Sequence, residues 1–206
     1  MDAAAGLWSG LTDMDPAGRG LGSADMPDDP ESVARLICLR LLSAAPRTRA
    51  QLADALNRRG VPAGAAEVVL GRFTEVGLID DATFASAWVE SRHYGRGLGR
   101  RALAAELDRR GVARADVEAA VEQLSPETER ATALALVERK LASTAGQPYP
   151  ARVRRLAGML ARKGYPAGLA FSVVREALDN AGSAGDGTGF EEEADALEFD
   201  ADGDVR

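Results

Sequence analysis

The sequence predicts an all-α protein built as an elongated, curved array of three tandem three-helix repeats. Three observations predict it. Apolar residues recur at helical spacing and nowhere alternate for long, so no sheet is expected. Ala and Leu dominate the apolar set and only 5% of residues are aromatic, a composition that favours helices. Finally, one segment is written three times. Leu52-Ala53-Asp54-Ala55-Leu56-Asn57-Arg58-Arg59-Gly60-Val61 matches Leu103-Ala104-Ala105-Glu106-Leu107-Asp108-Arg109-Arg110-Gly111-Val112, and again Leu156-Ala157-Gly158-Met159-Leu160-Ala161-Arg162-Lys163-Gly164-Tyr165, at offsets of 51 and 53 residues.

Residues 1–28 mix Gly, Asp, Pro and Ala with little periodicity and read as a disordered acidic arm. The first repeat, residues 29–80, opens at Asp29-Pro30-Glu31, where a capping oxygen, a proline and an early carboxylate all suit a helix N-terminus. Its first helix carries Val33 to Leu42. The second repeat, 81–125, places Phe84 and Trp88 in its opening helix from Asp81 to Arg92, with Asp80 and Asp81 as cap and first turn. The third, 126–181, restarts at Ser125-Pro126-Glu127 and continues through Leu134, Val137 and Leu141.

In each repeat the copied segment supplies the second helix. Two leucines four apart share a face, a basic pair in the last turn complements the negative helix end, and glycine follows as a left-handed terminator. The third helices carry Val69, Leu70 and Phe73; Ala120, Val121 and Leu124; Val173, Val174 and Ala177. Ser143 to Pro150 reads as the clearest internal loop and a hinge. Residues 182–206 read as a disordered acidic tail, with Leu197 and Phe199 set among its carboxylates. Three helices bury too little alone, so the repeats must stack.

The formal charge of −7 hides a division. Residues 31–180 hold 23 bases and 17 acids, whereas residues 1–30 hold one base against six acids and residues 181–206 one against nine. The array is therefore basic and its ends acidic.

Chemistry is scarce. The lone His93 and lone Cys38 form no metal-ligand pattern, and no disulfide can close within the chain. His93 reads as an exposed helix-end residue, and Cys38 as a small buried hydrophobe. Gly95 to Arg101 is glycine-rich but fits neither a P-loop nor a dinucleotide fingerprint. No catalysis, metal or cofactor is expected. Without a signal-like segment or a long apolar run, the reading is a cytoplasmic protein with no membrane association. A binding surface remains: Arg92, Tyr94, Arg96, Arg100, Arg101, Arg109 and Arg110 cluster around what reads as a flexible glycine-rich turn. Guanidinium groups pair with phosphates or carboxylates, and a tyrosine can stack on a base. The bland alternative is a solvated face, with Glu106 and Arg110 an i, i+4 pair.

Gly77-Leu78-Ile79-Asp80-Asp81-Ala82-Thr83-Phe84-Ala85-Ser86-Ala87-Trp88-Val89-Glu90-Ser91-Arg92 resembles the signature of the RecX family, bacterial regulators of the RecA recombinase. The following Gly99-Arg100-Arg101-Ala102-Leu103-Ala104-Ala105-Glu106-Leu107 extends the resemblance, which covers about residues 33–180. It implies a non-enzymatic protein that binds RecA and its filament on single-stranded DNA and restrains ATP hydrolysis and strand exchange; separately, the chain is expected to be a monomer. Direct DNA contact is compatible with that role. The acidic ends depart from the compact family pattern. A competing expectation comes from Thr48 to Asp80, which read alone as a winged helix-turn-helix transcription regulator. Wing strands should then follow, yet residues 81–92 keep helical spacing.

Overall fold

The computed structural model describes residues 29–183. Among these residues there are nine α-helices and no strand. They are α1 (Pro30–Ala44), α2 (Arg49–Asn57), α3 (Ala63–Glu75), α4 (Asp81–Arg96), α5 (Arg100–Asp108), α6 (Arg114–Glu122), α7 (Pro126–Leu141), α8 (Tyr149–Arg162) and α9 (Ala167–Ser183). Residues 81–96, where a winged helix-turn-helix would place its wing, are the helix α4. The two acidic ends read from the sequence as disordered lie outside the described residues.

Local chemistry starts the helices where the sequence indicates. Asp29 accepts from the amides of Glu31 and Ser32, Asp80 from Thr83 at 2.8 Å, and Ser125 from Thr128 at 3.1 Å. Thr48 and Gln51 form a reciprocal capping box on α2. Gly60, Gly111 and Gly164 end the copied segments at φ of 74, 75 and 87°, a region that suits glycine. The basic pairs expected in the last turn fall just beyond α2 and α5 instead. The helices stop early because Arg58 and Arg109 already belong to the glycine turn. Arg59 still reaches back, donating Nη1 to the Ala55 carbonyl at 3.0 Å.

Each helix triple closes over its own core. Ala34, Ile37, Leu52, Leu56, Leu70 and Phe73 belong to the first. Phe84, Trp88, Leu103, Leu107 and Val117 belong to the second. Ala133, Val137, Leu156, Leu160, Val173 and Val174 belong to the third. Burying each such leucine contributes about 1.5–3 kcal/mol. Three cores rather than one make the molecule a series of small units whose contacts with each other decide its rigidity.

Those contacts repeat. The Thr48 hydroxyl donates to the Arg110 carbonyl at 2.7 Å, and the Arg49 amide donates to Asp81 Oδ1 at 2.9 Å. One unit further on, the Gly99 amide donates to the Lys163 carbonyl at 2.8 Å and the Arg100 amide to Glu129 Oε1 at 2.9 Å. In both joints the N-terminus of a second helix abuts the glycine turn of the next unit's second helix. Its first free amide meets a carboxylate there, as the helix dipole favours. Asp81 and Glu129 occupy one register, four residues before Ala85 and Ala133, which are both 0% exposed. The equivalent position before Ala34 is Pro30, so the first unit has no such acid to offer. At the other end, α8 starts seven residues before Leu156, whereas α2 and α5 start three before Leu52 and Leu103. Both ends of the series thus depart from the joint that holds its interior together.

Two expectations are corrected at the turns. The glycine-rich stretch is not a flexible loop: α4 runs through Arg96, and only residues 97–99 separate it from α5. A Cβ on Gly97 would lie 2.9 Å from Leu136 Cδ1, and one on Gly99 2.9 Å from the Gly164 carbonyl carbon. These glycines admit the third unit at close range. Ser143 to Pro150 is likewise no open hinge. Ala142–Thr144 forms a 3-10 turn, and Thr144 is buried, bonded to the Leu141 carbonyl and to Arg152 Nε. Tyr149 and Pro150 already belong to α8.

Candidate functional site

The seven residues singled out in the sequence lie on α4, α5 and the turns that flank them, and the structure divides them. Arg92 and Arg110 enclose the Trp88 ring, their guanidinium carbons 4.1 and 3.6 Å from its centroid. Trp88 is 2% exposed and donates Nε1 to Glu106 Oε2 at 2.8 Å, with Arg92 Nε 3.6 Å from the same oxygen. Desolvation, reinforced by the charge of Arg96, lowers the Arg92 pKa, and Glu106 opposes the shift. Arg100 is held differently, by the Leu124 carbonyl and by Glu129, whose side chain is 6% exposed. These three arginines build the protein's interior edges.

Tyr94, Arg96, Arg101 and Arg109 are exposed, Tyr94 by 70%. Tyr94 and Arg96 stand at the end of α4 beside an open groove of about 720 Å³ between that end and α7. Arg139 and Lys163 line it as well. Neither was singled out in the sequence, because each lies more than 40 residues from Arg96 and only the joint of the second and third units brings them together. The single available signal was that Lys163 is the third-repeat counterpart of Arg110. Lys163 Nζ donates to the Arg96 carbonyl at 2.6 Å. Its pKa is lowered by burial and then by the nearby charge of Arg139. Three cations, Arg96, Arg139 and Lys163, face one carboxylate, Glu138, in the lining, and this excess of positive charge favours an anionic occupant.

His93 supports this wall and is a correction. It is buried, not an exposed helix-end residue. The Leu98 carbonyl lies 2.9 Å from Nδ1 and the Thr132 hydroxyl 2.8 Å from Nε2. A carbonyl only accepts, so in the neutral ring Nδ1 carries the proton and Nε2 accepts from Thr132. Beside it Gly97 turns the chain at φ 62°, and Leu136 approaches that glycine closely. Tyr165 completes the corner, donating its hydroxyl to the Gly97 carbonyl at 3.1 Å.

Among the described residues no group of His, Cys, Asp and Glu is placed to hold a metal. No helix of this structure is long and apolar enough to cross a membrane.

Comparison with known proteins matches this arrangement unit by unit. The models for the first, second and third three-helix domains of RecX match residues 34–73, 80–121 and 127–174. The chain belongs to the RecX family. The regulatory protein RecX of Thermobifida fusca is 62% identical over 161 residues, covering 78% of this chain and 87% of the relative. That of Streptomyces lividans is 61% identical, covering 76% and 83%. The RecX of Mycolicibacterium smegmatis is 44% identical, covering 76% and 90%. The crystal structure of RecX from Lactobacillus salivarius superposes with a TM-score of 0.69 at 18% identity, over 72% of this chain and 97% of that one. At that identity the likeness speaks for the RecX fold alone.

Proposed function

We propose that this chain binds the RecA recombinase and its filament on single-stranded DNA, and restrains ATP hydrolysis and strand exchange without catalysing a reaction itself. Membership of the RecX family carries this reading, and the relatives' shared description as regulatory proteins supports it. The surface chemistry agrees. Tyr94, Arg96, Arg101 and Arg109 form the contact set, and Arg92, Arg100 and Arg110 position it from behind.

The division of labour follows from what each guanidinium already touches. Arg92, Arg100 and Arg110 are spent on Trp88, Glu129 and Leu124. The three exposed guanidiniums, of Arg96, Arg101 and Arg109, are available to phosphate oxygens or to acidic side chains of RecA, and Tyr94 beside them to stacking on a base. A rigid series of helices suits a polymer such as a nucleoprotein filament, because several weak contacts on one rigid body act together. The chain would act in the cytoplasm as a monomer, in recombination, DNA repair and the SOS response. Titrating the protein into DNA-dependent ATP hydrolysis by the cognate RecA tests the reading. Hydrolysis should fall as the protein is added, and an unchanged rate at a large excess would refute it.

A further inference from the structure

The first helices of the three units share a register in which Ala34, Ala85 and Ala133, all 0% exposed, coincide. Two positions further on stand Leu36, Ala87 and Ala135, and five further on Leu39, Glu90 and Glu138. In the third unit these positions look back along the array. Ala135, Glu138 and Arg139 of α7 line the groove opposite Tyr94 to Gly97 at the end of α4, and the Thr132 hydroxyl of the same helix bonds to His93. A small residue and a carboxylate suit a face that meets the preceding unit across an open groove.

The first unit follows no other unit, yet its equivalent face carries two leucines. Leu36 is 51% exposed and Leu39 43%. Standing three residues apart, they adjoin on one side of α1. Arg35 and Arg40, both exposed, flank them: at about 100° per residue the order around the helix is Arg35, Leu39, Leu36, Arg40, within an arc of about 140°. Glu31, the one acid of α1, faces Arg72 instead, 3.7 Å from its Nη1. Single half-exposed leucines are ordinary on a protein surface, but the outermost face of a repeat array is normally polar, and here it is the most apolar of the three.

What precedes α1 in the chain is residues 1–28. Their sequence sets Leu7, Trp8 and Leu11 within five positions, with Asp2 on one side, Asp13 and Asp15 on the other, and no Lys or Arg before Arg19. The 17 residues between Leu11 and the Asp29 cap can span up to about 55 Å, whereas Leu36 and Leu39 lie only about 10 and 15 Å along α1 from that cap.

We propose that Leu7, Trp8 and Leu11 seat on Leu36 and Leu39 and cap the array, where an interior unit would meet its predecessor, with the flanking aspartates set toward Arg35 and Arg40. A second copy of the chain suits the face less well, because a two-fold contact would bring Arg35 and Arg40 against their own images. The N-terminal segment brings opposite charge, and its tether holds it near the face at a high effective concentration however dilute the protein. The cap needs no RecA, so it stands or falls apart from the proposed function.

Fluorine NMR of the full chain labelled with fluorotryptophan tests it. Trp8 and Trp88 are the two reporters, and Trp8→Phe identifies the line of the first. The Trp8 line should be displaced from that of a free peptide of residues 1–15 and should hold its position as the protein is diluted. Leu36→Ala with Leu39→Glu gives α1 the residues that the second unit carries at these places, and should return the line to the free-peptide position. Trp88 reports the second core, so its unmoved line separates loss of the cap from loss of the fold. A wild-type Trp8 line already at the free-peptide position overturns the cap, as does one that the double variant leaves displaced. A displacement that vanishes on dilution overturns it too, and assigns the face to a second copy.

Discussion

Three glycines at one repeat position have different tasks. Gly60, Gly111 and Gly164 all sit near φ +75 to +87°, so each loses about 1–2 kcal/mol on substitution by alanine for conformational reasons alone. At Gly60 the space around a new Cβ is open. At Gly111 it would stand 2.3 Å from Ala50 Cβ, and at Gly164 2.3 Å from the Ala102 amide nitrogen. Gly60→Ala should therefore cost about 1 kcal/mol in chemical denaturation, and Gly111→Ala or Gly164→Ala about 2–4 kcal/mol through added overpacking. Equal losses at all three would show that the joints yield easily. The αL requirement was legible from glycine after a basic pair. The crowding was not, since the atoms concerned lie some 60 residues away in the chain.

At the scale of helices, most starts were legible because capping is local. Asp29-Pro30, Asp80 and Ser125-Pro126 each meet an amide two or three residues on. What was not legible is how helices meet one another. The Gly95 to Arg101 stretch reads as mobile from composition, yet the Lys163 and Gly164 carbonyls hold it. His93 reads as a terminal surface residue, yet Thr132 and Leu98 enclose it. The caps give a prediction with a definite sign. Hydrogen bonds from Ser32 lower the Asp29 pKa, and those from Thr83 lower that of Asp80. Such a carboxylate stabilises its helix start above its unfolded pKa, and the contribution disappears as pH falls through the lower folded value. Amide exchange at Ser32 and Thr83 should accelerate as pH drops below about 3.8 relative to an internal reference amide, and no relative change would deny the caps their role.

Across the whole molecule, charge is segregated. The formal charge of −7 divides into a basic middle and two acidic ends of the sequence, so the acidic ends and a polyanion should compete for the exposed arginines. Deleting residues 183–206 should then tighten single-strand binding at low salt, with the difference closing as salt rises. Equal affinity across the salt range would assign the tail to solubility alone. The repeat architecture was legible in the thrice-written segment. Of the candidate surface, the α4–α5 half was legible, while Arg139 and Lys163 entered only through the joint between units.

The most direct test is DNA-dependent ATP hydrolysis by the cognate RecA, titrated in parallel with the wild-type chain and with a variant carrying Arg96→Glu, Arg101→Glu and Arg109→Glu. The account predicts that wild type suppresses hydrolysis progressively and that the triple variant, equally folded, needs at least tenfold more protein for the same effect. No suppression by wild type would contradict the function, and full suppression by the variant at wild-type concentrations would remove this surface from it.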